Sequence, residues 1–224
     1  MSDPSGQPGQ PARRSFLAAG NPFLQPAPGA TGGGERRTFD VLIVCTGNIC
    51  RSAYAALLLG AATRRDDDLI RVGSAGIGAV VGAPMHADEA RAAAALGLDP
   101  SGHRGRQLTA PLIDAADLVL ALSERHLEVI LAERPSAVDR TFLLGDYAAL
   151  CALPGLDGQP TATRADLCAQ VGYAARLRDA GRQADRGDIA GEIDDPYGRG
   201  PAQHRASIAR IEQAVALIAP RLRP

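Results

Sequence analysis

The stretch Val41-Leu42-Ile43-Val44-Cys45-Thr46-Gly47-Asn48-Ile49-Cys50-Arg51-Ser52 decides how this chain is read. A run of branched apolar residues ends at Cys45. That predicts a buried strand delivering a thiol to the carboxyl edge of a sheet, where open α/β folds bind their ligands. A segment rich in Ala and Leu follows Ser52 and reads as a helix. The loop from Thr46 to Arg51 can then curl its backbone N–H groups around an anion, with the positive end of the helix adding to the field. Gly47 is read as the point of a tight turn, and Asn48 as a residue that tolerates the left-handed conformation. Ser52 can donate a hydrogen bond to a thiolate. The spacing C-x5-R alone is weak: with four cysteines and 24 basic residues, all of them Arg, it arises by chance roughly four times in ten. The flanking strand and helix, with Gly47, Asn48 and Ser52 inside, give it weight.

Outward from this loop, apolar runs alternate with helical patterns. Strands are expected at Phe39–Val44, Ile70–Ser74, Leu118–Leu122 and Thr141–Leu144. Helices are expected at Cys50–Arg64, Ala87–Leu96, Pro111–Ala116, Glu124–Ala132 and Ala202–Ile218. Short apolar strands separated by helices argue for a parallel sheet covered on both faces, with right-handed crossovers. The segment between Ala148 and Glu192 is less orderly and carries Pro154, Gly155, Gly158 and Pro160 before a helix at Arg164–Arg178. A connection this long is read as an insertion, at about 150–191, near the rim of the site. Its expected role is a solvated face, with substrate or partner choice as the alternative.

Residues 1–37 are dominated by Pro, Gly, Gln, Ser and Ala and read as a disordered tail ahead of a domain over 38–224. Arg13-Arg14-Ser15-Phe16-Leu17 has the look of a twin-arginine export signal. The apolar stretch behind it is only Ala18-Ala19-Gly20, too short for one. The net charge of −1 excludes the basic footprint of a nucleic-acid binder, and no apolar run is long enough to span a bilayer. Four cysteines at irregular spacing form neither a disulfide framework nor a zinc pattern, so a reduced, cytoplasmic setting is the natural reading.

Chemistry concentrates on few residues. Cys45 is the candidate nucleophile: a helix N-terminus and a neighbouring Arg draw a thiol well below its usual pKa of roughly 8.5. Arg51 can fork onto two phosphate oxygens. Thr46, Gly47, Asn48, Ile49 and Cys50 complete the cradle. A proton donor for the leaving oxygen is found in Glu192-Ile193-Asp194-Asp195-Pro196-Tyr197-Gly198. There Pro196 restricts Asp195 to extended conformations, and Asp194 competes one position earlier.

The loop Cys45-Thr46-Gly47-Asn48-Ile49-Cys50-Arg51-Ser52 closely resembles the signature of low-molecular-weight protein tyrosine phosphatases. The resemblance implies a three-layer α/β/α, phosphatase I-like fold with a four-stranded parallel sheet. It also implies hydrolysis of phosphotyrosine monoesters through a cysteinyl-phosphate, without metal or cofactor. Asp195-Pro196-Tyr197 resembles the family's acid loop, with Tyr197 as one wall for the phenol ring. Val72-Gly73-Ser74-Ala75-Gly76 and His103-Arg104-Gly105-Arg106 resemble segments whose serine and histidine brace the signature loop, which assigns supporting roles to Ser74 and His103. The implied substrates are phosphotyrosine proteins or small aryl phosphates. The resemblance also implies a reversible Cys45–Cys50 disulfide served by a thiol reductant, with Cys50 as plain helix packing the other reading. One departure stands out: where many relatives place an aromatic residue, Ile77-Gly78-Ala79-Val80-Val81-Gly82 has none. The alternatives are a thioredoxin-coupled arsenate reductase, for which Cys151 and Cys168 are wrongly placed, and a phosphate-binding regulatory module.

Overall fold

The structure is a computed structural model and describes residues 38–64, 69–154, 156, 159–180 and 188–223. The tail expected over 1–37, with its Arg13-Arg14 pair, lies outside the described residues. Four strands, β1 (Phe39–Cys45), β2 (Ile70–Gly76), β3 (Leu118–Ala121) and β4 (Thr141–Leu143), form one parallel sheet in the order β2-β1-β3-β4. The chain leaves β1 for β2 on one side and returns to β3 on the other, so the order reverses at β1. Its carboxyl end is therefore the switch point where such sheets open a crevice. Cys45 is the last residue of that strand.

β1 and β3 are buried on both faces, which explains their near-continuous apolar runs, whereas β2 at the sheet's edge is only half-buried over Ile70, Arg71 and Val72. Phe39, Val41 and Ile43 point into one core with Leu59, Ile211 and Ile218. Leu42 and Val44 point into the other with Ile113 and Ile130. The first core is covered by α1 (Arg51–Ala62), α5 (Leu144–Cys151), α6 (Arg164–Ala180) and α7 (Pro201–Leu222), with α2 (Ala87–Ala95) at its side. The second is covered by α3 (Ala110–Ala115), α4 (Glu124–Glu133) and a 3-10 turn at Pro135–Arg140. This is the expected three-layer α/β/α arrangement, with strand and helix boundaries displaced by no more than a few residues.

Two expectations are corrected. Helix α5 was unforeseen, although Leu144, Tyr147, Ala148 and Cys151 share one face at helical spacing and are all buried. Among the described residues of 150–191, helix α6 is neither a solvated face nor near the rim. Leu167, Val171 and Ala174 of α6 are buried in the first core. Arg164, at the start of α6, grips Asp117 from the amino edge of the sheet, through Nη2 at 2.5 Å and Nε at 3.1 Å. Arg178, near its other end, donates to the carbonyl of Val138 at 2.9 Å, just ahead of β4. Helix α6 thus lies along the edge opposite Cys45.

Candidate active site

The loop between β1 and α1 is shaped by where its carbonyls go. Cys45, Thr46 and Gly47 accept from the amides of Ile77, Gly78 and Val80 at 2.9, 3.1 and 3.0 Å. Asn48 O accepts from His103 Nε2 at 2.7 Å, and Ile49 O from the amide of His86 at 2.8 Å. Five successive carbonyls are turned outward onto a supporting layer, which leaves the amides for the interior, the arrangement of an anion-binding nest. One of them is already engaged: Asn48 N donates to Cys45 Sγ at 3.3 Å. No side chain caps α1, so its first amides also remain open at this end.

Asn48 holds the loop together. It is buried, with φ 54°, the left-handed conformation its residue type tolerates. Its Nδ2 donates to Ser52 Oγ at 2.9 Å and Ser74 Oγ at 2.8 Å, and its Oδ1 accepts from the amide of Arg106 at 2.9 Å. Ser52 Oγ, thus already accepting, lies 2.9 Å from Cys45 Sγ and 3.4 Å from Ala75 O, so its single proton is within reach of the carbonyl and turns to the sulfur once that is a thiolate. Gly47 is a correction: its φ is not positive, and a Cβ there would meet only ordinary contacts. The glycine this loop requires is Gly76, where a Cβ would collide with the Thr46 carbonyl.

Arg51 is almost wholly buried. Its Nη1 donates to Ile193 O at 3.0 Å and its Nη2 lies 2.5 Å from Asp195 Oδ2, while Nε has no partner among the described residues. A buried donor without an acceptor is costly, and an anion in the cradle would supply one. Asp195 is 40 % exposed and takes the amide of Tyr197 on Oδ1 at 3.1 Å, a turn that fixes the carboxylate after Pro196 has set the backbone. The amide of Ile193 donates to Leu122 O at 3.0 Å, which pins the acid loop to the end of β3. Asp194, the competitor, is exposed and does not line the cavity.

A cavity of about 160 Å³ opens over the sulfur, lined by Cys45, Thr46, Gly47, Ile49, Cys50, Arg51, Gly78, Val80, Asp195 and Tyr197. Every expected residue is therefore either on its wall or, for Asn48, Ser52, Ser74 and His103, in the network behind it. In the segment without an aromatic residue, Val80 lines the cavity, as does Tyr197.

His126, on α4, escaped the sequence reading. Its Nε2 lies 2.9 Å from Thr46 Oγ1 and its Nδ1 2.9 Å from Ser123 Oγ, the N-cap of its own helix. Burial, reinforced by the Arg51 guanidinium, pushes its imidazole down to about 4. His103 is lowered too, chiefly by burial. Both are neutral supports at physiological pH, not proton carriers. The other two histidines of the chain also meet here: His86, Glu89 and His204 gather with Cys50 behind the loop, their donor atoms all within 4.8 Å of one another. Cys45 and Cys50 are both free thiols. Burial, with the Glu89 carboxylate adding to it, holds the Cys50 thiol above its usual range.

A model of the family described as low molecular weight phosphotyrosine protein phosphatase matches residues 40–153. The chain is 38 % identical over 108 residues to the low molecular weight protein-tyrosine-phosphatase Etp of Escherichia coli (strain K12), covering 48 % of this chain and 70 % of that one. It is 41 % identical over 106 residues to the probable low molecular weight protein-tyrosine-phosphatase EpsP of Ralstonia solanacearum, covering 47 % and 70 %. Among solved structures it is similar to the tyrosine phosphatase Wzb from Escherichia coli K30 in complex with sulphate, at 27 % identity and TM-score 0.58, over 83 % of this chain and 99 % of that one. It is also similar to the YwlE arginine phosphatase from Geobacillus stearothermophilus, at 27 % identity and TM-score 0.59, over 82 % and 92 %.

Proposed function

The chain belongs to the low molecular weight phosphotyrosine protein phosphatase family, and we propose that it hydrolyses phosphotyrosine monoesters through a cysteinyl-phosphate on Cys45. Cys45 Sγ attacks phosphorus in line, while the loop amides that remain open between residues 46 and 51 and the Arg51 guanidinium take up the equatorial oxygens. Asp195 delivers its proton to the departing phenolate. It then accepts one from the water that attacks the phosphocysteine, releasing inorganic phosphate and returning the sulfur as thiolate. Ser52 stabilises that thiolate as it leaves. The carrying observation is that Cys45, Arg51 and Asp195 converge on one small cavity over the switch point of the sheet.

Substrate class follows from the walls. A cavity of about 160 Å³ admits a phosphoryl group and leaves the remainder of the substrate at the mouth. There Ile49, Val80 and Tyr197 offer apolar surface that suits an aryl ring. A guanidinium would find no carboxylate on these walls except Asp195, which is already paired with Arg51. The arsenate reductase reading would need a resolving pair of cysteines in reach of Cys45; Cys50 lines the cavity beside it, whereas Cys151 is buried on α5 and Cys168 sits on α6. The test is steady-state hydrolysis of phosphotyrosine, phosphoserine and phosphoarginine peptides in the presence of EDTA. Phosphotyrosine should be turned over fastest, and Cys45→Ser should abolish turnover with the fold intact. Turnover surviving in Cys45→Ser, or a preference for phosphoarginine, would overturn the reading.

A further inference from the structure

Behind the cradle, four side chains with metal-binding chemistry come together from three separate parts of the chain. Cys50 ends the signature loop and is the N-cap of α1, His86 is the N-cap of α2, and Glu89 lies in the first turn of α2. His204 lies in the first turn of α7, just after the acid loop. Glu89 is 1 % exposed, and Cys50 and His204 are each 4 % exposed. Both imidazoles lie against the Glu89 carboxylate, His204 Nδ1 at 2.7 Å from Oε1 and His86 Nδ1 at 3.1 Å from Oε2, and His86 Nδ1 is also within 3.4 Å of the Asp88 amide that it caps. We propose that Cys50, His86, Glu89 and His204 form a binding site for one zinc-class divalent cation, behind the catalytic cavity and sharing Cys50 with its wall.

The donor set decides the class of ion. One thiolate, two imidazoles and one carboxylate suit a borderline-soft metal, and they do not suit calcium or magnesium, which want oxygens alone. Four protein ligands leave no open position, so the site is structural rather than catalytic. Bonds of 2.0–2.3 Å in a tetrahedron set donor separations of roughly 3.3–3.8 Å. The observed carboxylate–imidazole separations of 2.7 and 3.1 Å and the 4.8 Å outer limit bracket that range. The rings of His86 and His204 are stacked at 4.5 Å with 8° between their planes, and parallel rings cannot both aim a lone pair at one point. Loading therefore requires one ring to turn. His86 is the ring with room to do so, at the expense of its cap on the Asp88 amide, since its side chain keeps 31 % exposure against 5 % for His204.

The position gives the site a consequence. The amide of His86 already holds the Ile49 carbonyl, and Tyr197 packs edge-on to the His86 ring at 6.3 Å. A cation here ties the end of the signature loop, the start of α2 and the start of α7 into one unit. It also holds Cys50 as a metal thiolate, unavailable for pairing with Cys45.

The test uses the full chain, with zinc titrated against a chromophoric chelator. Wild type and Cys45→Ser should each bind one ion per chain. Glu89→Gln and His204→Ala should weaken binding by at least about 10-fold. With cobalt(II) in place of zinc, a thiolate-to-metal charge-transfer band should appear, persist in Cys45→Ser and vanish in Cys50→Ser. Should His204→Ala not fold, His86→Asn at the half-exposed edge reads the same loss. Absence of stoichiometric binding, binding indifferent to Glu89→Gln, or a band lost in Cys45→Ser would overturn the site. Turnover enters none of these readouts, so the cation site and the phosphatase reading stand or fall separately.

Discussion

The two edges of the sheet treat buried charge in opposite ways. At the amino edge, Asp40 is gripped by Arg71 through Nε at 2.6 Å and Nη2 at 2.7 Å, and Asp117 is gripped by Arg164. The amide of Asp40 donates to Asp117 Oδ2 at 3.0 Å and links the two pairs. Each carboxylate there has an opposite charge in bidentate contact. At the carboxyl edge, Arg51 is as deeply buried, yet its Nε is unmatched among the described residues, and the loop before it keeps its amides open. Charges at one edge are satisfied and hold the structure together; at the other, donor capacity is left for a ligand.

If that contrast is right, changing a carboxylate at each edge should damage different properties. Asp195→Asn leaves the fold intact, because its carboxylate is 40 % exposed. It should lower kcat by about 10²–10⁴ and erase the limb of the pH–rate profile that belongs to the general acid. Steady-state rates across pH decide this; a variant with wild-type kcat would move the role away from Asp195. Asp117→Asn should do the reverse, costing about 3 kcal/mol of unfolding free energy, the low end for a broken buried pair because Arg164 is 25 % exposed. Its kcat at a temperature where the variant is folded should match wild type. A loss of kcat at unchanged urea midpoint would dissolve the distinction between the edges.

His126 sharpens the comparison, since it is a support at the carboxyl edge whose cost appears only in acid. Its imidazole is pushed down to about 4 in the fold but titrates near 6.5 when unfolded. Between those values the unfolded chain binds the proton and the folded one does not. Stability is therefore complete above about pH 6.5 and falls as pH drops toward 4, by on the order of 2–3 kcal/mol. Urea midpoints measured for wild type and His126→Gln across this window should converge at its acid end. Parallel curves would mean that the imidazole is not desolvated as the structure has it.

The parts that could be read in the sequence are those whose cause is local. β1 and the loop behind it announce themselves through a branched apolar run, a cysteine and an arginine in one short segment, and Asp195 is marked by the proline after it. Asn48 was identified for the right reason, whereas Gly47 was credited with a turn that Asn48 makes. The constraint that demands glycine lies at Gly76, where β2 passes under the loop, and only the packed structure reveals it. His126 meets Thr46 across 80 residues, and His204 meets Glu89 across 115. No spacing rule reaches that far; His86 and Glu89, at i, i+3 on a helix start, are the half of the cluster whose spacing is local, and they too went unread. Helix α6 is legible as a helix over Arg164–Arg178, but its burial is not, because an Arg-rich surface hides a buried stripe of Leu167, Val171 and Ala174.

The smallest expected effect concerns the mouth of the cavity, where the carboxyl edge stops being rigid and starts to select. Val80 is 48 % exposed, yet its amide donates to Gly47 O at 3.0 Å, so the backbone belongs to the supporting layer while the side chain faces substrate. Val80→Phe should therefore leave the cradle alone and add a second ring to the cavity that Tyr197 also lines. An aromatic pair contributes about 0.5–1.5 kcal/mol beyond area, which lowers KM for an aryl phosphate roughly 2- to 12-fold. Since such a contact is made equally in ground and transition states, kcat should hold steady. A fall in kcat would instead mean that the larger side chain disturbs the outward-turned carbonyls, placing Val80 among the groups that shape the cradle.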